Sequence, residues 1–467
     1  MQALQDLIEL IDGFISGYIL VALLLGAGVY FTLRLGFLQI SKFGPGMKLT
    51  FGDLFKKEEK GDEGSLSSFQ ALATAIAAQV GTGNIGGVAT AVTLGGPGAI
   101  FWMWVTAFLG MSTIFAEAVL AQIFREKRGG EYVGGPAFYL RKGLGKKNPA
   151  LGKFLAGTFA VLIVIALGII GNMVQSNSIA DAINNSFGVP KLVVGIAIAL
   201  AAGLIFIGGV QRIGKFAEMV VPAMAVLYIL GALGLLIKFA PAVPGAFVII
   251  FKSAFTPIAA VGGFAGAIVK QAVKMGVQRG LFSNEAGMGS TPHAHAVANV
   301  KHPAEQGLTA FIGVFIDTIV VCSATALSIV VTKAYEVEGL LGVRVTQHAF
   351  TEAFGPAGGA FLAVCLTFFA FTTIVGWYYF GEANIRYLFG HKGLVPYRII
   401  AVLGIVFGAL QEVGVVWALS GLFNSLMVIP NIIGLMVLSP LVVMVYQDYN
   451  RQIAEGGEIY FDYEKYS

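Results

Sequence analysis

The hydrophobic pattern of the chain is a series of long apolar runs separated by short polar segments. Most runs reach the length of about 20 residues at which an α-helix crosses the hydrocarbon core of a bilayer. Eleven runs occur, at residues 11–35, 66–94, 97–124, 153–186, 190–209, 214–238, 247–278, 306–333, 357–388, 395–411 and 415–447. The pattern predicts an all-α integral membrane protein with eleven transmembrane helices.

The second run contains the sequence AAQVGTGNIGG at its middle, where a spanning helix should be continuous. A break at this depth frees backbone amides and carbonyls that cannot meet water. It is therefore stable only when it is buried in protein or lines a polar cavity. Gly81 and Gly83, together with the polar Thr82 and Asn84, thus indicate a binding site halfway through the membrane.

The seventh run carries AAVGGFAGAIV, which predicts a second break at 262–266. Without the first run, ten remain, and each half of the ten opens with an interrupted helix, so we expect a 5+5 inverted repeat. The alternative is that these glycines only allow close helix packing. The predicted organisation is an extra N-terminal helix (1–36), a cytoplasmic connector (37–65), two five-helix repeats (66–240 and 241–447) and a cytoplasmic tail (448–467).

Composition and charge agree with this interpretation. Hydrophobic residues make up 57% of the chain and charged residues 12%, and the mean hydropathy is +0.80. With the N-terminus outside, 25 of the 30 Lys and Arg residues lie on the cytoplasmic side. The excess of basic residues in cytoplasmic loops predicts a multi-pass protein of the cell membrane with its N-terminus outside and its C-terminus inside.

The motifs argue against an enzyme. Gly81, Gly83 and Gly86 match GxGxxG, but they follow a helical pattern and not the buried strand that a dinucleotide site needs. The chain has no phosphate-binding GxxxxGK[ST] loop, and we expect no cofactor. Transport would then depend on an ion gradient. Neither predicted break contains a charged side chain, and oxygen dipoles suit a hard cation, so we expect Na⁺ as the coupling ion.

Several polar residues inside the apolar runs are further candidates. Asn172 and Gln175 share a helix face and could reach the cavity, or could only bond neighbouring helices. Asp317 is a carboxylate within a span, either functional or a structural partner. Arg279 and Glu285, in a segment expected to be cytoplasmic, could pair as a gate.

Two longer motifs are specific. The runs GGPGAIFWMWVTAFLGM (95–111) and GVQRGLFSNEAGMGS (276–290) closely resemble the sodium:alanine (alanine or glycine:cation) symporter family, and the likeness covers nearly the whole chain. The resemblance implies symport of an amino acid with a cation and the fold of the bacterial leucine transporter.

The resemblance also implies site residues. An unwound turn at 78–83 would hold the substrate, Phe264 of the second break would form the opposite wall, and Trp377 could limit the size of the substrate. The predicted substrate-binding residues are Ala78, Gln79, Gly81, Thr82, Gly83, Asn84, Asn172, Gln175, Gly263, Phe264 and Trp377. Sodium would be bound by Ala77, Val80, Phe369, Thr372 and Thr373. The two threonine hydroxyls could instead bond carbonyls of their own helix.

These observations together predict sodium-coupled symport of alanine, glycine or a similarly small neutral amino acid by alternating access. A zwitterion suits the positive end of one half-helix and the carbonyl-rich end of another. The alternatives are a proton-coupled amino acid symporter and an uncoupled facilitator or channel. The expected partners are the amino acid, the sodium ion and the lipid bilayer, and no nucleic acid.

Overall fold

The computed structural model describes residues 13–52, 65–256, 265–411 and 413–463, and of residues 265–268 and 413–416 it describes the backbone only. Within these ranges the chain is helical apart from short loops and one two-stranded hairpin. Seven helical stretches are long and apolar enough to cross a membrane. The all-α membrane class is therefore confirmed, while the count of eleven spans stays a prediction.

The first part of the chain leads from the N-terminal helix to the hairpin. Its helices are α1 (Ile15–Arg34), α2 (Leu38–Ser41), α3 (Phe43–Phe51), α4 (Ser68–Gln79), α5 (Val88–Gly95, preceded by a π turn at Gly83–Gly87) and α6 (Gly98–Ile123). The hairpin pairs β1 (Glu126–Arg128) with β2 (Glu131–Val133) in antiparallel register.

The helices that follow the hairpin, up to the centre of the chain, are α7 (Pro136–Lys142), α8 (Pro149–Phe187), α9 (Lys191–Phe206), α10 (Gly209–Lys238), α11 (Val243–Phe255) and α12 (Ala265–Asn284). The remaining helices are α13 (Pro292–Ala296), α14 (Pro303–Thr332), α15 (Val343–Phe354), α16 (Pro356–Phe389), α17 (Leu394–Ala409) and α18 (Val413–Glu455).

Helix α6 lies at the centre of one group of helices because small residues let its neighbours approach closely. A Cβ added at Gly276 of α12 would lie 2.5 Å from the carbonyl oxygen of Ala99. On another face of α6, Ser112 lies 3.0 Å, hydroxyl to hydroxyl, from Thr32 of α1. The extra N-terminal helix is thus fixed against the same helix that supports α12.

The prediction of one interrupted helix at 247–278 is wrong. The chain forms two helices there, and both lie beside the same end of α6: Ser253 of α11 contacts Gly98, and Gly276 of α12 contacts Ala99. A single helix broken at its middle would reach both ends. Most of the predicted break at 262–266, including Gly263 and Phe264, lies outside the described residues, and Gly266 belongs to α12.

The connector and the tail pack against the helices. In the predicted connector, 37–65, the amide of Gln39 donates to Thr32 Oγ1 at 2.9 Å and to the carbonyl of Phe108 at 3.2 Å. In the tail, the Tyr463 hydroxyl donates to Gln122 Oε1 at 3.4 Å, and the Phe461 ring lies 5.0 Å from the His302 ring. Both segments therefore add contacts to the helical body.

Candidate binding site at two interrupted helices

The first interruption lies where the sequence predicts it. Helix α4 begins at a capping box formed by Ser67 and Gln70 and ends at Gln79, and Val80 leaves the helical conformation with φ −82° and ψ 88°. The chain resumes at Gly83 as a π turn that continues into α5. Residues 71–89 are all buried, so no lipid or water reaches the freed backbone groups.

Side chains from two elements satisfy the freed amides of this interruption. The Gly81 amide donates to Asn84 Oδ1 at 2.9 Å, and the Thr82 amide donates to Gln175 Oε1 of α8 at 3.1 Å. A Cβ added at Gly81 would overlap Thr373 Oγ1 and lie 3.1 Å from Gln175 Oε1. Only glycine therefore lets α8 and α16 approach the turn this closely.

A second interruption separates α12 from α13, at residues 285–291. Glu285, Gly287 and Gly289 have positive φ of 58°, 88° and 83°. Residues 283–296 are buried. This part of the motif at 276–290 therefore lies inside the protein, although the sequence analysis expected a cytoplasmic segment there. Sequence reasoning missed the signal in the segment SNEAGMGST (283–291). In it, two glycines separated by one residue lie between polar residues.

Glu117 of α6 holds this second interruption in place. Its carboxylate accepts hydrogen bonds from the Gly287 amide at 3.0 Å and from the Gly289 amide at 2.9 Å. Asn431 of α18 donates to the same carboxylate at 2.6 Å and to the Gly287 carbonyl at 2.9 Å, and Tyr139 donates to Asn431. The buried carboxylate of Glu117 thus takes the place of the backbone carbonyls that would accept from these two amides in a continuous helix.

The two interruptions contact each other directly. Gln79 at the end of α4 donates to the carbonyl of Asn284 at the end of α12, at 2.6 Å. Asp317, in the π segment Phe315–Cys322 of α14, accepts from Asn84 Nδ2 at 2.6 Å and from the Ser283 hydroxyl at 2.8 Å. Asp317 therefore links both interrupted helices to α14.

The walls around this junction include most of the predicted substrate-binding residues. Trp377 Nε1 donates to Glu285 Oε1 at 2.5 Å, and a Cβ added at Gly171 of α8 would lie 2.6 Å from the Trp377 ring. Ala78, Gln79, Gly81, Thr82, Gly83, Asn84, Asn172, Gln175 and Trp377 are all buried. The described contacts place Gln79, Gly81, Thr82, Gly83, Asn84, Gln175 and Trp377 at the two interruptions. Ala78 lies against Gly376 of α16, and Asn172 bonds its own helix.

Three buried polar atoms of residues at this junction, and one on α8 a turn away from Gln175, have no hydrogen-bond partner among the described residues: Gln79 Oε1, Thr82 Oγ1 and Gln175 Nε2, and Asn172 Oδ1. Buried polar groups in proteins are nearly always bonded to protein, water or ligand. Three acceptors and one amide donor are therefore available to a polar molecule. Asn172 Nδ2 bonds the Gly168 carbonyl of its own helix at 3.2 Å, whereas Gln175 reaches across to the first interruption.

Of the five residues predicted to bind sodium, Ala77, Val80, Phe369 and Thr373 converge. The contacts described for Thr372 are with Phe369 of its own helix and with Met224 of α10. The Thr373 hydroxyl lies 3.0 Å from the carbonyl oxygen of Ala77, 3.4 Å from that of Val80 and 3.0 Å from that of Phe369. The Thr372 hydroxyl lies 2.8 Å from the Phe369 carbonyl. All five residues are buried, so the interrupted end of α4 and the middle of α16 form one cluster of uncharged oxygens.

The contacts described for Arg279 and Glu285 are with different side chains. Arg279 lies with its guanidinium carbon 5.0 Å from the centre of the Trp417 ring. The contacts described for Glu285 are with Trp377 and Ser290. About one and a half helical turns separate the two residues along the chain. The pairing of the two side chains as a gate stays a prediction.

Ion pairs join the hairpin to α16 at the end of α6 opposite α11. Arg386 donates to Glu131 of β2 at 2.5 Å and to Glu382 at 2.7 Å. Glu126 of β1 belongs to the same hairpin. Its partial burial acts to raise its pKa, but hydrogen bonds from Arg128 and Lys142 have the larger combined effect and lower that pKa below its usual range. The hairpin thus fixes one end of α16, which carries the threonine pair.

Two helices interrupted at one buried place are how many secondary transporters build their binding sites. The family and the relatives of this chain are membrane transporters and not enzymes. The chain belongs to the sodium:alanine symporter family, whose model matches residues 1–463. This membership confirms the resemblance seen in the two sequence motifs.

Two relatives and one solved structure illustrate the similarity. The chain is 46% identical to the sodium/alanine symporter AgcS of Methanococcus maripaludis, over 95% of this chain and 97% of that protein. It is 41% identical to the probable sodium/glutamine symporter GlnT of Bacillus subtilis, over 98% and 94%. The crystal structure of MhsT in complex with L-phenylalanine matches with a TM-score of 0.56 at 14% identity, over 83% of this chain and 99% of that one. This structural match shows that the fold is of the leucine-transporter type.

The role of Glu117 can be tested without any ligand. We expect Glu117→Gln to speed hydrogen exchange of the amides at 285–291 by about tenfold or more, because a charge-assisted acceptor for two amides is worth about 1.5–3 kcal/mol. The measurement is hydrogen–deuterium exchange with mass spectrometry on the purified protein. Glu126→Gln, which removes a half-exposed carboxylate of the hairpin, is the control. Unchanged exchange at 285–291 in Glu117→Gln would contradict the assignment.

Proposed function

We propose that the protein is a sodium-coupled symporter of alanine, glycine or a similarly small neutral amino acid and works by alternating access. The observation that carries the proposal is the approach of the Thr373 hydroxyl of α16 to the carbonyls of Ala77 and Val80 at the interrupted end of α4. The Phe369 carbonyl, which both Thr372 and Thr373 bond, lies beside them. Uncharged oxygens suit a hard monovalent cation, and their cluster joins an interrupted helix to a continuous one. Cation binding would thus stabilise one arrangement of α4 against α16.

The substrate site lies beside this cluster in our proposal. Gln175 Nε2 would donate to the carboxylate of the amino acid, while Gln79 Oε1 and Thr82 Oγ1 would accept from its ammonium group. A neutral zwitterion needs no charged side chain if helix ends and amides face its two groups. Trp377 and the Phe282 ring, whose centres lie 5.8 Å apart, would restrict the side chain to a small one.

The proposed arrangement in the membrane keeps the N-terminus outside and the C-terminus in the cytoplasm of a multi-pass protein of the cell membrane. α11 and the first half of α12 lie beside the first residues of α6, and this end of α6 faces outward in the proposed orientation. Lys270, Lys274 and Arg279 therefore count with the outer residues. The basic residues then divide 22 to 8 in favour of the cytoplasmic side, which still supports this orientation. The extra helix (1–36), the connector (37–65), the two repeats (66–240 and 241–447) and the tail (448–467) remain the proposed organisation.

Removal of one hydroxyl tests the sodium site. In proteoliposomes with an imposed sodium gradient, we expect uphill uptake of L-alanine by the unmodified protein. Thr373→Val should raise the sodium concentration for half-maximal uptake by about tenfold or more, since it replaces an oxygen ligand by a methyl group. Thr373→Ser keeps the hydroxyl and is the control, with a change of less than about threefold.

One result would contradict the proposed sodium site, and another would contradict coupled transport itself. Uphill uptake by Thr373→Val with unchanged sodium dependence would remove the cluster from the ion site. Uptake by the unmodified protein that never exceeds equilibration would point to a facilitator or channel.

Proton coupling is the second candidate, and Asp317 is the observation that favours it. Its carboxylate is buried at the junction of both interruptions and bonds three neutral donors, Asn84, Ser283 and Thr318. A carboxylate among neutral groups is poised to exchange a proton when its surroundings change. The sequence analysis named Asp317 as a candidate but could not place it at the junction, because Asp317 lies in a different run from either predicted break.

The two ions are distinguished by measuring proton flux during uptake. With a pH-sensitive dye inside the proteoliposomes, we expect no change of internal pH when a sodium gradient drives L-alanine inward. We also expect Asp317→Asn to retain sodium-driven accumulation at a reduced rate, because Asn preserves the shape but loses the carboxylate acceptor. Alanine-dependent acidification that is absent in Asp317→Asn would instead establish the second candidate.

A further inference from the structure

A short backbone pairing joins the ends of the two interrupted helices that lie away from the junction. Leu66 precedes α4 and Ala298 follows α13, and the two residues form a parallel β-bridge. The Leu66 amide donates to the Val297 carbonyl at 2.9 Å, and the Asn299 amide donates to the Leu66 carbonyl at 2.9 Å. These ends face the cytoplasm in the proposed orientation. A path from the junction to the cytoplasm between α4 and α13 therefore requires this bridge to open.

Two side chains at the end of α6 hold one side of the bridge. Gln122 Nε2 donates to the carbonyl of His295 at 2.5 Å and to that of Ala298 at 3.0 Å. Arg125, two residues beyond α6, donates to the same Ala298 carbonyl at 2.6 Å. These bonds fix the segment that follows α13 to the end of α6.

The last residues that the structure describes fold back toward these side chains. Helix α18 ends at Glu455, and Gly456 then turns the chain with a φ of 70°. The backbone amide and carbonyl of Tyr460 bond the side chain of Gln452 in α18, each at 2.8 Å. The segment is thus tied to the helix from which it emerges. We call residues 457–463 the strap.

Two aromatic side chains of the strap contact the residues around the bridge. The Tyr463 hydroxyl donates to Gln122 Oε1 at 3.4 Å, and the Arg125 guanidinium carbon lies 5.0 Å from the centre of the Tyr463 ring. Phe461 is only 3% exposed, and its ring centre lies 5.0 Å from that of His302, which caps the start of α14. A cation over an aromatic face and a buried phenyl ring both stabilise such contacts. The strap thus binds the same two side chains that hold the bridge.

We propose that the strap is an autoinhibitory contact that keeps the bridge closed, and that its release limits the rate at which the junction opens to the cytoplasm. The inference rests on the proposed function, because an alternating-access transporter opens and closes this end in every cycle. Contacts made only in the closed arrangement shift the equilibrium toward that arrangement. Their loss should therefore speed opening, whereas the loss of a purely structural contact should not make the protein faster.

The first measurement is hydrogen–deuterium exchange of the Leu66 and Asn299 amides in the purified full-length protein, since the bridge protects both. We expect the double variant Phe461→Ala with Tyr463→Ala to speed their exchange by about tenfold or more, because a released strap lets the bridge open more often. Tyr463→Ala alone keeps the buried Phe461 and should speed exchange by about threefold. It keeps the test available if the double variant does not fold.

The second measurement is sodium-driven uptake of L-alanine into proteoliposomes. We expect the double variant to raise the maximal rate by about threefold or more, because a conformational step of this kind often limits turnover. Tyr460→Ala is the matched control for both measurements. It removes an aromatic ring from the same segment, but Tyr460 is 69% exposed, so exchange and uptake should stay within about twofold of the unmodified protein.

Unchanged exchange at the bridge in both strap variants would overturn the inference. So would faster exchange without a faster maximal rate, or an equal effect of Tyr460→Ala. Failure of the unmodified protein to accumulate L-alanine would refute the proposed function. The exchange measurement needs neither sodium nor substrate, so a failure of the strap and a failure of the proposed function are distinguishable.

Discussion

The structure depends on the need to satisfy backbone groups where two helices are interrupted inside a membrane protein. Neither lipid nor water can bond the freed amides, so side chains must do so. Gln175 and Asn84 serve the first interruption, and Glu117 serves the second. These bonds explain why amide and carboxylate side chains are buried in a chain with 12% charged residues.

The same bonds connect the parts that would move in the proposed alternating-access mechanism. Gln79 joins the ends of α4 and α12, and Asp317 ties both to α14, so a shift of one interrupted helix is transmitted to the other. Thr373 joins α4 to α16 through the carbonyls of Ala77 and Val80. In the proposed function, a cation at this last contact and an amino acid at the junction would bias the same set of contacts, which is the physical basis of coupling.

The sequence predicted parts of the fold and of the site correctly where the signal lies in neighbouring residues. The glycines at 81 and 83 mark the first interruption, and adjacent threonines at 372 and 373 lie opposite it as the family resemblance implies. The second interruption was placed wrongly because glycine alone does not distinguish a packing contact from a break, and the polar residues of 283–291 resemble a loop. The sequence marks Asp317 as a candidate, but the partners of Glu117 and Asp317 could not be predicted. Those partners, Gly287, Gly289, Asn84 and Ser283, lie far away along the chain. Long-range contacts of this kind have no local signature.

The most direct test compares two glycines of the first interruption. A Cβ at Gly81 would overlap Thr373 Oγ1 and press on Gln175, whereas a Cβ at Gly87 would meet only the Thr82 carbonyl, at 4.0 Å. The measurement is sodium-dependent equilibrium binding of radiolabelled L-alanine to the purified protein. The account predicts that Gly81→Ala weakens binding by about tenfold or more, which is about 1.4 kcal/mol, while Gly87→Ala stays within about twofold. Equal affinity of the two variants would contradict the claim that the interrupted helices form the site.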